Sequence, residues 1–100
     1  MTPEGKVKEA IKKILKAHDV YFTMPIGTGF GSAGVPDFVI CHKGVFIGVE
    51  AKSGTNKPTA LQTEHINRIR KRGGYALVVN EDNYSELNEL LNSLKESNDR

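Results

Sequence analysis

Residues 35–53 read "VPDFVICHKGVFIGVEAKS" and combine two apolar, β-branched runs with three charged residues inside or at the edge of those runs, Asp37, Glu50 and Lys52. Such runs on either side of Lys43-Gly44 indicate a β-hairpin. If Lys43-Gly44 is a two-residue turn, the strand partners are symmetric about it, and Asp37 lies directly opposite Glu50. Opposed residues on one face of a strand pair have Cβ atoms about 4.5–5.5 Å apart. Two like charges at that distance repel each other, so a purely structural role does not favour them.

A divalent cation between the two carboxylates would turn this repulsion into attraction. Hard oxygen ligands suit Mg²⁺, which proteins hold through one or two carboxylates together with water and substrate phosphate. Lys52 lies one same-face step beyond Glu50, where its ammonium could pair with Glu50, orient or deprotonate an attacking water, or stabilise charge on a phosphate. This pattern is typical of a metal site for phosphodiester hydrolysis. The structural alternative is that Asp37 caps a strand end while Glu50 and Lys52 form an ion pair at the rim.

The remaining sequence predicts an α/β fold in which helices flank a mixed sheet, with the element order α-β-β-β-α-β-α. Thr59 and Gln62 have the spacing of a capping box, and Gly73-Gly74 ends the helix that follows it. The "VV" strand after that helix implies a parallel crossover onto an earlier strand. The predicted helices cover residues 3–17, 60–72 and a segment after Asn83, and the predicted strands cover residues 20–24, 37–41, 45–52 and 75–79.

The last helix and the cysteine carry two further expectations. Asn83 and Glu86 have the spacing of a second capping box. The helix after them carries a narrow leucine stripe: Leu87, Leu90, Leu91 and Leu94. Either this stripe or exposed strand residues could form a dimer contact. Cys41 is the only cysteine, which excludes an intramolecular disulfide and a Cys-based zinc cluster. Its place within an apolar run predicts a small core residue.

Length and composition fit one globular domain over residues 1–100. No apolar run approaches the length of a membrane span, and the N-terminus lacks the apolar core of a signal peptide. We therefore expect a cytoplasmic protein, or a phage-encoded one that acts in the host cytoplasm. The net charge of +2 is too small to indicate a partner, but its distribution is uneven. Basic residues cluster near the N-terminus and at 68–72, which permits a nucleic-acid face without requiring one.

The segments "GVPDFVI" (residues 34–40) and "GVFIGVEAKSGTNKPTALQ" (residues 44–62) resemble the PD-(D/E)XK nuclease superfamily. Pro36-Asp37 corresponds to the first half of that motif, and "EAK" at residues 50–52 corresponds to the second. More narrowly, the combination resembles the VRR-NUC (virus-type replication-repair nuclease) domain, over nearly the whole chain. Four features match the pattern of that family together: the length of the hairpin, "ExK", a Gly/Pro loop, and "LQ" on the helix that follows the loop. The resemblance implies a restriction-endonuclease-like core and a nuclease that uses Mg²⁺ or Mn²⁺.

The same resemblance implies roles for individual residues. Asp37 and Glu50 would bind the metal through their carboxylates, and Ala51 would bind it through its backbone carbonyl. Lys52 would be the catalytic lysine. Gln62, on the helix after the core strands, would orient substrate or water, although the capping box with Thr59 explains it equally well.

The resemblance also implies an acidic residue on the first helix near the metal. Glu4 lies at the margin of the apolar stripe of this helix whereas Glu9 faces nearly away, so Glu4 is the preferred ligand. A solvated glutamate in the first turn is the alternative. Ser32, in a glycine-rich loop, could touch a phosphate or be an ordinary loop serine. His65, one turn after Gln62, could face the cleft, although a position on the helix surface is the preferred expectation. The basic residues expected to reach DNA phosphates are Lys57, Arg68, Lys71 and Arg72.

The expected function is a structure-specific, metal-dependent DNA endonuclease of DNA repair, similar to Holliday-junction resolvases. A symmetric four-way junction needs two cuts related by a two-fold axis, so the expected partners are branched DNA and a second copy of the chain, without a membrane. Two alternatives remain. One is a nuclease directed at flaps, nicks or ends, and the other is a DNA-binding subunit that cuts only with a partner.

Overall fold

Three helices and four strands follow one another in the predicted order. The computed structural model of the chain describes residues 1–26 and 33–95. The elements are α1 (Pro3–Ala17), β1 (Tyr21–Thr23), β2 (Phe38–His42), β3 (Val45–Ala51), α2 (Ala60–Lys71), β4 (Tyr75–Val79) and α3 (Tyr84–Ser93). The prediction of a mixed α/β fold is confirmed, because local signals such as caps, turns and apolar periodicity fix most element boundaries.

The four strands form one mixed sheet in the order β1-β2-β3-β4. β1, β2 and β3 are antiparallel, and β4 joins β3 in parallel after the α2 crossover. Lys43 and Gly44 have φ angles of 54° and 79°, so the β2–β3 turn is a two-residue turn with both residues in the left-handed region. Phe38 pairs with Val49. The next step of this register places Asp37 opposite Glu50, as the sequence predicts.

The core lies between one face of the sheet and the helices α1 and α3. It is built from apolar residues of these elements, including Val7, Ile11 and Leu15 from α1, Phe38, Ile40, Ile47, Val49 and Val79 from the strands, and Leu87 and Leu91 from α3. Leu90 and Leu94 pack against the same core. The leucine stripe of α3 is therefore used within the chain, and the idea that it forms a dimer contact is not supported.

Helix α2 covers the opposite face of the sheet only in part. It packs on β3 and β4, where Ile69 lies so close to Gly48 that a Cβ there would meet its Cδ1 at 2.9 Å. Cys41 stands between Tyr21 and Phe46 in the ladder, on the part of this face that is exposed. The expectation that Cys41 is a core residue is wrong, because its side of β2 faces away from α1 and α3.

Of the two predicted capping boxes, one forms. Thr59 and Gln62 cap α2 reciprocally. Asn83 precedes α3 but its side chain does not cap it. Instead, its Oδ1 accepts from the Asn80 N–H at 2.7 Å and its Nδ2 donates to the Val78 carbonyl at 2.9 Å, so the side chain closes the β4–α3 turn. Among the helices of residues 1–26 and 33–95, none is long and apolar enough to cross a membrane.

Candidate active site

The hairpin brings Asp37 and Glu50 together where β2 begins and β3 ends. Asp37 Oδ2 accepts a hydrogen bond from the Ala51 N–H at 2.9 Å. Glu50 is only 2% exposed, and its carboxyl group is hydrogen-bonded to that of Asp37. Two carboxyl groups can share a hydrogen bond only when one of them carries a proton. The metal-free fold therefore favours a protonated Glu50.

The electrostatics of Glu50 follow from this position. Burial raises the pKa of Glu50 to about 9, and the hydrogen bond and negative charge of Asp37 add to the rise. The positive charge of Lys52 opposes it. A bound cation would favour the ionised form in the same way as Lys52, only more strongly. The pair is thus a poor structural element without a cation and a suitable ligand pair with one.

Pro36 leaves the Ala51 carbonyl without its usual partner in the ladder. Continuing the β2–β3 register places Pro36 opposite Ala51, and proline has no N–H to donate. A ladder residue directs its N–H and C=O to the same side of the strand. The Ala51 carbonyl therefore lies on the side where the Ala51 N–H meets Asp37, whereas the Lys52 N–H turns the other way and donates to the Val79 carbonyl at 3.0 Å.

Two carboxyl groups and one main-chain carbonyl thus lie on the same side of the end of β3, and oxygen ligands of this kind fit Mg²⁺ or Mn²⁺. Across the described residues, no three His, Cys, Asp or Glu side chains come together as a metal cluster. Beyond Asp37 and Glu50, further ligands would therefore have to include the main-chain oxygen of Ala51, water or substrate.

Lys52 is half-buried on the same face of β3 as Glu50. Among the residues that the structure describes, Lys52 and Glu50 do not form an ion pair, because the Lys52 nitrogen lies more than 4.0 Å from the Glu50 carboxyl oxygens. The structural alternative is therefore half realised, since Asp37 does cap a strand end through the Ala51 N–H but the rim ion pair does not form.

Helix α1 adds two charged residues near Asp37. Lys8 Nζ lies 3.5 Å from Asp37 Oδ1 and 3.8 Å from Glu4 Oε2. The negative charge of Glu4 also contributes to the raised pKa of Glu50. Glu9 is turned to Lys12, 3.3 Å away. Of the two acidic residues considered, Glu4 is therefore the one beside the site.

Sequence reasoning missed Lys8. Its position four residues after Glu4 indicates a pair along the helix. The contact with Asp37 depends on how α1 crosses the end of the hairpin, and no local pattern carries that information.

Gln62 stands at the start of α2, next to the segment that leads to Asp37. Its Oε1 accepts from the Thr59 N–H at 2.9 Å, and its own N–H donates to Thr59 Oγ1 at 3.2 Å. Gly34 packs against this end of α2, where a Cβ would meet the Leu61 carbonyl carbon at 2.6 Å. The capping role is thus realised, and the Nε2 amide is the group of Gln62 that remains to meet a substrate.

The predicted DNA-binding residues are dispersed. Ser32 lies outside the described residues, and Lys57 is exposed in the β3–α2 loop. Arg68 and Arg72 line one cavity on α2, and Lys71 lines a second that shares Arg68. Arg70 is engaged differently, because its Nη2 donates to the Ala76 carbonyl at 2.8 Å and fastens α2 to β4.

The first of these cavities measures about 400 Å³ and lies toward the opposite end of β3 from Glu50. His65 lines it together with Phe46 and is half-buried there, so this histidine faces a cleft that is separate from the carboxylate pair. Comparison of the chain with protein-family models and with curated proteins gives no match, so the functional interpretation depends on the geometry around Asp37 and Glu50.

Proposed function

We propose that this chain is a metal-dependent, structure-specific DNA endonuclease that hydrolyses phosphodiester bonds with Mg²⁺ or Mn²⁺. One observation carries the proposal: the carboxyl group of the buried Glu50 lies beside that of the partly exposed Asp37, next to a main-chain carbonyl, that of Ala51, for which the opposed proline provides no donor. Burial of an ionised carboxylate beside a second one opposes folding at neutral pH unless a proton or a cation compensates it. The resemblance of "PD" and "EAK" to VRR-NUC domains supports the same chemistry.

Each residue then has a definite task. Asp37, Glu50 and the Ala51 carbonyl would hold the cation, with Glu4 adjacent. When bound, the cation polarises the scissile phosphate and lowers the pKa of water. Lys52 orients or deprotonates the attacking water, or neutralises charge that develops on the phosphate.

The Gln62 amide helps to position the substrate at the start of α2. Its capping bonds to Thr59 fix the side chain there. Lys57 and the basic residues of α2 would contact flanking phosphates, which fix the register of DNA without reading its sequence.

A homodimer that resembles Holliday-junction resolvases is the proposed assembly, since each chain contributes one site and a four-way junction needs two symmetric cuts. A role in DNA repair follows from that substrate. A nuclease directed at flaps, nicks or ends would use the same chemistry on unpaired DNA. A DNA-binding subunit that cuts only with a partner is the remaining alternative.

A panel of labelled substrates tests the proposal. A four-way junction, a flap, a splayed arm and a linear duplex are incubated with Mg²⁺, Mn²⁺ or EDTA. We expect metal-dependent cleavage of at least one branched substrate, and loss of about 10²- to 10⁴-fold in rate for Lys52→Ala. Lys13→Ala, at an exposed position of α1, is the matched control and should cleave normally.

Two results would count against the proposal. If the wild-type chain leaves every substrate intact with both metals, it is not a nuclease on its own. If Lys52→Ala cuts as fast as wild type, the chemistry does not depend on that lysine.

A further inference from the structure

The cavity at the far end of β3 has the size and composition of a binding site. Its volume of about 400 Å³ falls within the range usual for small-ligand pockets. Three of its lining residues lie on α2 and a fourth is the C-cap of that helix, and together they have the spacing i, i+3, i+4 and i+7, so a single stripe of the helix faces the cavity. The lining residues are Phe46, His65, Arg68, Ile69, Arg72 and Gly74.

An apolar surface and positive charges meet in this cavity. Phe46 is 46% exposed although it is a large aromatic residue, and Ile69 lies beside it. Arg68 and Arg72 are both exposed, so their guanidinium groups are accessible to a ligand. Charge at the C-terminal end of a helix by itself would only complement the helix dipole. The helix dipole accounts for the two arginines, but it does not explain why an aromatic ring is exposed next to them.

We infer that this cavity binds one unpaired nucleotide, with the base stacked on Phe46 and the phosphates on Arg68 and Arg72. Aromatic rings and cationic grooves are the combination that proteins use for single-stranded nucleic acid. Guanidinium groups bind phosphate through paired hydrogen bonds. The inference rests on the proposed function in one respect, namely that the substrate is DNA.

The position of the cavity specifies the substrate further. Phe46 and Glu50 lie on the same face of β3, four residues and therefore about 13 Å apart along the strand. A base held at Phe46 would thus belong to the strand whose backbone runs toward the carboxylate pair. A fully paired duplex presents no free base to this cavity. The inference therefore favours the alternative substrates of the proposed nuclease, namely flaps, splayed arms and single-stranded ends, over a four-way junction in which every base is paired.

Binding without metal tests this independently of cleavage. Fluorescence anisotropy in EDTA compares a labelled single-stranded oligonucleotide with a blunt-ended duplex hairpin. Phe46→Leu should weaken single-strand binding about 5- to 100-fold, the usual range for loss of one base–aromatic stack, and leave duplex binding unchanged. Phe46→Tyr keeps the ring and should bind like wild type.

The matched control for the ring is Tyr75→Leu. Tyr75 is 44% exposed, close to the value for Phe46, but it pairs with Ile47 and so points to the other face of the sheet. This variant should bind the single strand like wild type. Thermal unfolding of each variant confirms that it is folded.

Charge is tested separately with Arg68→Gln/Arg72→Gln. Loss of two phosphate contacts should reduce the salt slope of single-strand binding by about 1.4. Lys13→Gln/Lys16→Gln removes two exposed charges of α1 and should leave that slope unchanged. If Phe46→Leu does not fold, the same slopes are compared with those on the blunt-ended duplex. A larger loss on the single strand supports an unpaired nucleotide in the cavity, and an equal loss on both DNAs contradicts it.

The outcomes separate the two proposals. If Phe46→Leu binds the single strand like wild type, or loses single-strand and duplex binding equally, the cavity does not hold an unpaired base, whatever the cleavage assay gives. If the single strand binds through Phe46 but no substrate is cut with either metal, the cavity does bind an unpaired nucleotide and only the nuclease proposal fails.

Discussion

At the scale of single residues, Glu50 makes the stability of the metal-free protein depend on pH. Its pKa rises from an ordinary value of 4.5 to about 9 on folding, so between these values the folded chain holds a proton that the unfolded chain has lost. Stability falls with pH wherever the folded state binds more protons. The contribution of Glu50 is therefore present below about pH 4.5 and is lost as the pH rises toward 9.

Glu50→Gln should remove this dependence. The amide resembles the protonated acid and can donate to Asp37, so in EDTA we expect the variant to be more stable than wild type at pH 8, by at least about 1 kcal/mol, since each unit of pKa shift corresponds to about 1.4 kcal/mol. Urea unfolding at several pH values measures it. Glu64→Gln, at an exposed position of α2, is the control and should behave like wild type. An equal slope of stability against pH in wild type and Glu50→Gln would contradict the raised pKa.

The sequence predicts the Asp37–Glu50 pair because a two-residue turn and strand alternation are local rules. It does not predict Lys8 beside Asp37, since that contact joins two elements at an angle that packing decides. The prediction that Cys41 is a core residue is wrong for a related reason. An apolar run shows that a strand is half-buried, but which of its faces a helix covers is a property of the assembled sheet.

At the scale of elements, the start of α2 is held against the segment that leads to Asp37. Gly34 has a φ of +88°, and a Cβ there would meet the Leu61 carbonyl carbon and oxygen at 2.6 and 2.7 Å. Gly73 has a similar φ of +93° but nothing within 4 Å of a Cβ. A substitution at either glycine would therefore strain the backbone to a similar degree. The two positions differ in the space that is available for the added Cβ.

Gly34→Ala and Gly73→Ala therefore form a matched pair. Both should lose about 1 kcal/mol from the left-handed backbone. Gly34→Ala should lose about 1 to 3 kcal/mol more, because backbone atoms of α2 must move. Denaturant unfolding measures the difference, and cleavage should fall only in Gly34→Ala as Gln62 shifts away from Asp37. If the two variants lose equal stability, the backbone of α2 moves away from the Cβ added at residue 34 without a measurable cost in free energy.

Elements whose ends are fixed by neighbouring residues are predicted well. The side chains of Thr59 and Gln62 each accept a hydrogen bond from the other residue's backbone N–H within one turn, so the predicted capping box forms. Asn83 has the same spacing to Glu86 and its amide does donate to the Glu86 carboxylate, but it also bonds the backbone of Val78 and Asn80 and makes no capping bond to the backbone of α3. The β4–α3 turn offers Asn83 partners that the spacing rule does not consider, and this competition is decided only in the folded chain.

At the scale of the whole molecule, the outer part of the sheet carries the surface that a second chain could cover. β1 is an edge strand of three residues, and large apolar side chains are exposed in it and just after it: Tyr21 (70%), Met24 (37%) and Ile26 (83%). Edge strands that are open in this way are prone to pair with another chain. If the chain forms the proposed dimer, we expect the contact on β1 rather than on α3.

We expect a dimer mass by sedimentation at micromolar concentration, with and without DNA. Tyr21→Glu should shift the equilibrium toward monomer because it places a charge in the contact. Glu89→Lys, an equally drastic change at an exposed position of α3, should leave the dimer intact. A wild-type monomer under both conditions would contradict the two-site arrangement proposed for a junction.

The hairpin also has a consequence for the order in which the chain folds. Asp37 and Ala51 are 14 residues apart, and the hydrogen bond between them crosses one tight turn. Hairpins form in about 1–10 µs, well before most domains complete folding. If the hairpin is formed at the folding barrier, a divalent ion stabilises the transition state along with the native state, so it should speed refolding and hardly change unfolding. Stopped-flow refolding and unfolding, each with and without Mn²⁺, measure the two rates. An ion that only slows unfolding would show that its ligands assemble after the barrier.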